Sequence, residues 1–228
     1  MKTLQSLALS LLLSAPLAAA AAGIDAISSG DATKGVKEAL TRGAEAAVSQ
    51  LGTAGGFLDN GKLRIPLPPA MQKAEKVMKM MGMQKQADEL VTAMNRAAES
   101  AVPEAKTLLV DAVKQMSVSD AKAILTGGDD SVTQYFRGKT EATLTKKFLP
   151  VVQKSTEKVG LAEKYNALAS KGQSIGLVKG EDANIEAYVT RKALDGLYAV
   201  IAEQEKGLRS NPLGAGSDLL KKVFGSLK

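Results

Sequence analysis

From Asp31 onward, apolar and small residues return every three or four positions through nearly the whole chain, a period that suits packed α-helices and little else. Val36, Leu40, Ala44, Ala47 and Leu51 fall on one face of a first helix, which Gly52, Gly55 and Gly56 stop. The period breaks at Phe57 to Ile65. Asn60-Gly61 is a strong turn signal, because both residues tolerate positive φ, and Phe57, Leu58, Leu63 and Ile65 flank it. A short β-hairpin or an ordered loop is expected over 57–65. Pro66, Pro68 and Pro69 then keep the chain extended, and Pro69 suits the first turn of a helix.

Two helices are expected next, over 69–81 with Met71, Ala74, Val77, Met78 and Met81 on one face, and over 84–101 with Ala87, Leu90, Val91, Met94, Ala98 and Ala101 inward. Gly82 separates them. Pro103 starts or kinks the helix that carries Ala105, Leu108, Leu109, Ala112, Val113 and Met116. Ser117 and Asp120 have the spacing of a capping box, with Asp in place of the usual Glu or Gln. The short helix they start ends at Gly127-Gly128. Asp129 or Asp130 can cap the helix bearing Val132, Tyr135 and Phe136. A separate long helix is expected over 140–159, kinked or split at Pro150. A short helix over 161–169 and a loop over 172–180 follow. Asp182 or Asn184 can cap the helix 185–208, whose face reads Leu194, Leu197, Ile201 and Leu208. A terminal helix, 217–227, closes the chain. The expected fold is all-α, a single-domain multi-helix bundle over 23–228.

Residues 1–22 read as a signal peptide. Lys2 precedes an apolar run from Leu4 to Leu17, and Ala18 to Ala22 offer cleavage after Ala20 or Ala22. The run is too short for a bilayer of ~30 Å. The expected location is the periplasm. About 205 residues then remain, enough for one domain with a sizeable core.

Cysteine is absent, which removes both a lipid anchor behind the leader and any disulfide. Histidine is absent as well. The commonest general base, the commonest zinc ligand and every histidine-activated nucleophile go with it. The net charge of +6, one less without Lys2, allows weak attraction to an anionic membrane surface or wall polymers. Aromatic residues at 4% are too few for a base-stacking platform, so nucleic acid is not expected as a partner.

Several segments carry a resemblance. Arg64-Ile-Pro-Leu-Pro68, Asn95-Arg-Ala-Ala-Glu99, Val102-Pro-Glu-Ala-Lys106, Ile124 through Gly127-Gly-Asp-Asp130 to Arg137, and Lys192-Ala-Leu-Asp-Gly-Leu-Tyr198 are similar to a proteobacterial family of exported proteins called domain of unknown function 4197. The likeness runs from about Asp31 to the end. It implies an all-helical exported domain. It implies no reaction, cofactor or catalytic residue.

The candidate functional surface comprises Asp129, Asp130, Tyr135, Arg137, Asn95, Arg96 and Glu99. Paired Asp129 and Asp130 can bind a cation or share a proton, yet helix capping accounts for the same residues. Tyr135 can wall a pocket and Arg137 can hold an anion; otherwise the aromatics pack and Arg137 pairs with a carboxylate. Asn95, Arg96 and Glu99 lie within about one helical turn, as a polar site or as a solvated face with an Arg96–Glu99 pair. Met78, Met80, Met81 and Met83 could bind soft copper, but methionine also packs cores and adaptable surfaces. No catalytic residue, metal or cofactor is assigned. The terminal helix, with Lys221, Lys222 and Lys228 beside its apolar face, either closes the core or lies on a membrane.

The reading that follows is a non-enzymatic envelope protein binding lipid or another amphiphile, or an envelope protein. Its rivals are a hydrolase of wall polymers using Asp129, Asp130, Glu99 or Glu141, and a structural scaffold.

Overall fold

The structure is a computed structural model that describes residues 28–82, 84–157, 159–174, 182, 184–211 and 217–225. The helices are α1 (Ser29–Leu51), α2 (Pro69–Met80), α3 (Gln84–Ala101), α4 (Ala105–Lys114), α5 (Val118–Thr126), α6 (Ser131–Thr156), α7 (Gly160–Ser174), α8 (Ile185–Ser210) and α9 (Asp218–Gly225). A 3₁₀ turn at Val102–Glu104 takes up Pro103 between α3 and α4. No strand occurs among the described residues. Of the two forms expected at 57–65, the ordered loop is the one adopted, and the fold is all-α.

Helices α6 and α8 form the most extensive pair, α3 lies along both, and α1 crosses α4, α5 and α8. Phe136, Leu144, Phe148 and Val152 of α6 meet Tyr188, Leu197, Tyr198 and Ile201 of α8 in the core, all buried. The two core tyrosines place their hydroxyls on partners. Tyr198 Oη lies 2.9 Å from Thr140 Oγ1, and Tyr188 Oη donates to Pro66 O at 3.1 Å.

One correction concerns α6. The expected helices on either side of residue 138 are a single helix of 26 residues. Its buried face runs Val132, Phe136, Thr140, Leu144, Phe148, Val152 and Thr156, at a constant spacing of four. Thr140 interrupts the apolar pattern but returns its hydroxyl to Phe136 O at 2.7 Å, so the burial is satisfied. Pro150 does not end the helix; it is exposed, where water can serve the carbonyl its missing N–H leaves free.

Helix α7 is longer than expected and takes in 172–174. The rest of the expected loop, 175–180, lies outside the described residues, as do the signal peptide at 1–22, Met83, Leu227 and Lys228. Among the described residues, no helix is long and apolar enough to cross a membrane.

Two glycines permit close approach. A Cβ on Gly196 would stand 2.6 Å from the ring of buried Phe57, so α8 receives the 52–65 loop through a notch. A Cβ on Gly35 would stand 2.6 Å from Val223 Cγ2. Leu220, Val223 and Phe224 are buried where α9 rests on α1, so the terminal helix closes the core.

Candidate functional site

The loop between α1 and α2 is gathered by two polar residues of α3, Asn95 and Glu99, the second paired with Arg96. Glu99 Oε1 accepts the backbone N–H groups of Gly55, Phe57 and Leu58 at 3.1, 3.0 and 3.0 Å. Its Oε2 takes Arg96 Nη1 at 2.6 Å. Asn95 Oδ1 accepts the Ile65 N–H at 2.8 Å, and its Nδ2 donates to Ile65 O at 2.9 Å and to Val91 O at 2.8 Å. A loop without regular structure has no ladder for its own amides, so buried side chains serve them instead. Burial pushes the Glu99 carboxyl up. The Leu58 N–H, the Arg96 guanidinium and the N–H groups of Phe57 and Gly55 outweigh that and hold it below the ordinary value. The solvated-face alternative therefore fits Arg96 alone. Asn95 and Glu99 are buried at 0% and 4% exposure.

The Gly127–Asp130 segment is clamped from the far end of α8. Asp130 holds the N-cap position of α6 but makes no capping bond with its side chain. Glu205 supplies the acceptor: the Val132 N–H lies 3.3 and 3.2 Å from its two oxygens, and Ser131 Oγ reaches Oε1 at 3.2 Å. Arg209 binds Glu205 Oε1 through Nε at 3.0 Å and Nη2 at 2.9 Å, and Nη2 also reaches Ile124 O at 2.7 Å. One ion pair thus serves the start of α6 and the end of α5. Burial raises the Glu205 carboxyl, and its bonds to Arg209, Val132 and Ser131 only partly offset this. Asp129 and Asp130 are exposed, and Asp130 Oδ2 receives Gln134 Nε2 at 3.3 Å.

A groove of about 480 Å³ opens beside the loop. Arg64, Pro66 and Leu67 of the loop, Gln72 of α2, and Gln84, Ala87, Asp88 and Val91 of α3 line it. Its volume is that of a small-molecule site. Asp88 accepts from Gln84 Nε2 at 3.0 Å, whereas the Arg64 side chain is exposed and makes no ion pair among the described residues. By contrast, the void among Leu40, Phe136, Ile201, Glu205 and Phe224 is about 10 Å³, room for one water.

The model of the family described as protein of unknown function (DUF4197) matches residues 26–225. The chain belongs to DUF4197. No curated protein and no solved structure matches it.

In this DUF4197 chain two of the segments that carry the resemblance meet in space, since Ile65 of the first is held by Asn95 of the second. The Tyr135–Arg137 segment fits the packing alternative. Tyr135 Oη donates to Ala112 O at 2.7 Å, Phe136 is core, and Arg137 pairs with Glu141 at 2.7 Å and Asp195 at 3.4 Å while its guanidinium lies 4.7 Å from the Tyr198 ring centre. The seven candidate residues do not form one site. Asn95, Arg96 and Glu99 sit beneath the loop, Asp129 and Asp130 at the α5–α6 turn, and Arg137 in its own ion pairs. Met80 and Met81 are exposed at the end of α2, while Met83 lies outside the described residues.

Sequence reasoning missed Glu205, Arg209 and the groove lining. Glu205 carries a signal: it stands four residues after Ile201, on the apolar face of α8. A charged residue in that register needs a partner across the core. Arg64, Gln72, Gln84 and Asp88 carry no comparable signal, because only the crossing of loop and helices brings them together.

Proposed function

We propose that this DUF4197 protein is a non-enzymatic binding protein of the bacterial envelope, whose groove takes an amphiphile with an anionic head. The observation that carries this is the groove's mixed lining around an uncommitted cation. Pro66, Leu67, Ala87 and Val91 offer apolar contact, and Arg64 is free to hold a carboxylate or phosphate. Asp88 and the amides of Gln72 and Gln84 add partners for hydroxyl or ammonium groups on the same head.

A hydrolase of wall polymers finds less support. Such chemistry favours two carboxyls in one cleft with pKa values pushed apart. Asp129 and Asp130 are exposed, Glu99 is covered by loop amides, and Glu141 is paired with Arg137. No two of these four share a hydrogen-bond or ion-pair partner among the described residues.

Native mass spectrometry of gently purified protein tests the proposal. A lipid-sized adduct, or saturable uptake of a fluorescent fatty acid, is expected. Arg64→Ala should weaken uptake by about tenfold, as loss of one charge-assisted contact does. Protein that carries no adduct and takes up no fatty acid removes the reading.

A further inference from the structure

We infer that the turn between α2 and α3 is a membrane-docking tip that seats the groove on an anionic lipid surface. This rests on the groove reading and supplies the source of its ligand. Met80 and Met81 are 88% and 69% exposed, the most exposed large apolar side chains among the described residues. Water contact of that extent on two adjacent thioethers is unfavourable, and lipid would remove it.

The chain turns at Met81 and Gly82. The Gly82 N–H closes on Lys79 O at 3.1 Å, and Gly82 has φ of +71°, a conformation that favours glycine. A Cβ there would meet nothing within 4 Å, so backbone geometry alone calls for glycine at this position.

Charge selects the occupant. Residues 73–85 hold Lys73, Lys76, Lys79 and Lys85 against Glu75 alone. Lys79 is exposed and makes no ion pair among the described residues, and Lys85 reaches Glu89 only at 3.9 Å with its side chain 87% exposed. Exposed methionines flanked by the exposed Lys79 and Lys85 match an anionic phospholipid surface, with the thioethers in the acyl boundary and the ammonium groups among phosphates. The other basic, amphipathic element, α9, cannot serve in this way, because Leu220, Val223 and Phe224 are buried against the domain. Position supports the assignment too. Gln84, which lines the groove, follows Met81 by three residues, so a docked tip brings one end of the groove to the head groups.

Vesicle flotation of the full mature protein tests this. Vesicles of equal parts phosphatidylglycerol and phosphatidylcholine should carry the protein, and phosphatidylcholine alone should not. Lys79→Gln with Lys85→Gln should lower partitioning roughly 25-fold, at about fivefold per lysine. Met80→Ser with Met81→Ser should lower it by about tenfold or more. Lys221→Gln with Lys222→Gln should leave it unchanged. All these sites are exposed or partly exposed, and unchanged melting curves will show that each variant is folded. Wild-type protein that fails to float at low salt overturns the inference, even if the tip crosslinks to an envelope protein. So does flotation that survives both tip variants, or that is lost with the α9 variant. Asp88→Trp, which fills the groove, separates the two proposals. Lost fatty-acid uptake with intact flotation in that variant supports separate tip and groove. Intact uptake by wild type without flotation sinks the tip alone, and flotation without uptake sinks the groove alone.

Discussion

Glu99 and Glu205 are both buried, both paired with an arginine one turn away, and both bonded to backbone amides outside their own helix. Their carboxyls nevertheless shift in opposite directions. Glu99 receives three N–H groups on a single oxygen, and its arginine is 44% exposed. Glu205 shares one N–H between its two oxygens, and its arginine is only 13% exposed. Glu205 also takes the Ser131 hydroxyl, but it lies deeper among protein atoms than Glu99, and its bonds to Arg209, Val132 and Ser131 do not replace the water it loses. The first site collects a whole loop, and the second joins two helix ends. Near-zero surface exposure alone therefore does not say whether a carboxylate keeps its charge, since depth and bonding partners both enter.

The largest expected effect is that of Glu99→Ala. It leaves three loop amides and Arg96 without their acceptor and should cost about 3–5 kcal/mol by urea unfolding. A loss below about 1 kcal/mol would mean that the loop is held by Phe57 in its notch instead. Asn95→Ala should cost about 1–3 kcal/mol, since Ile65 loses both its bonds. Proteolysis within 53–65 should quicken in that variant, and unchanged cleavage would separate Asn95 from the loop's order.

The pH profiles should run in opposite senses. Glu99 lies below the ordinary 4.5, so its contribution is complete above pH 4.5 and is lost as pH falls through its folded value. Glu205 lies above 4.5, so the folded state holds its proton more tightly than the unfolded chain does. Its contribution is fullest below pH 4.5 and declines as pH rises through its folded value. The stability gap between wild type and Glu99→Gln should shrink on acidification, and that for Glu205→Gln should grow. Parallel profiles would break the contrast.

The smallest effect concerns the helix caps. Ser117→Ala should cost about 1 kcal/mol, because Ser117 and Asp120 form a complete capping box. Asp130→Ala should stay within about 0.5 kcal/mol, because Glu205 serves its helix. Equal losses would mean that Asp130 caps α6 in solution.

Much of the architecture was readable in advance. The stripes of α1 and α3, the start of α2 at Pro69, the stop at Gly82 and the Ser117 box all appear where the residues indicate. The split expected in α6 failed because Thr140 reads as polar, yet its hydroxyl is served by Phe136 O one turn back and by Tyr198, 58 residues away. The candidate site was legible in residue type and not in role. Asn95 and Glu99 stood out, but nothing nearby in sequence says that they bind a loop 30 to 44 residues away. Asp130 had the form of a cap, and its function passed to Glu205, 75 positions later.

The amino-acid sequence by itself determined the helices and most of their ends, because periodicity, proline and glycine act within a turn or two of the chain. The tertiary structure alone decided which carboxylates are buried, what they hold and where a groove opens. Those outcomes depend on groups that meet only when distant helices cross, and on the water that their meeting removes.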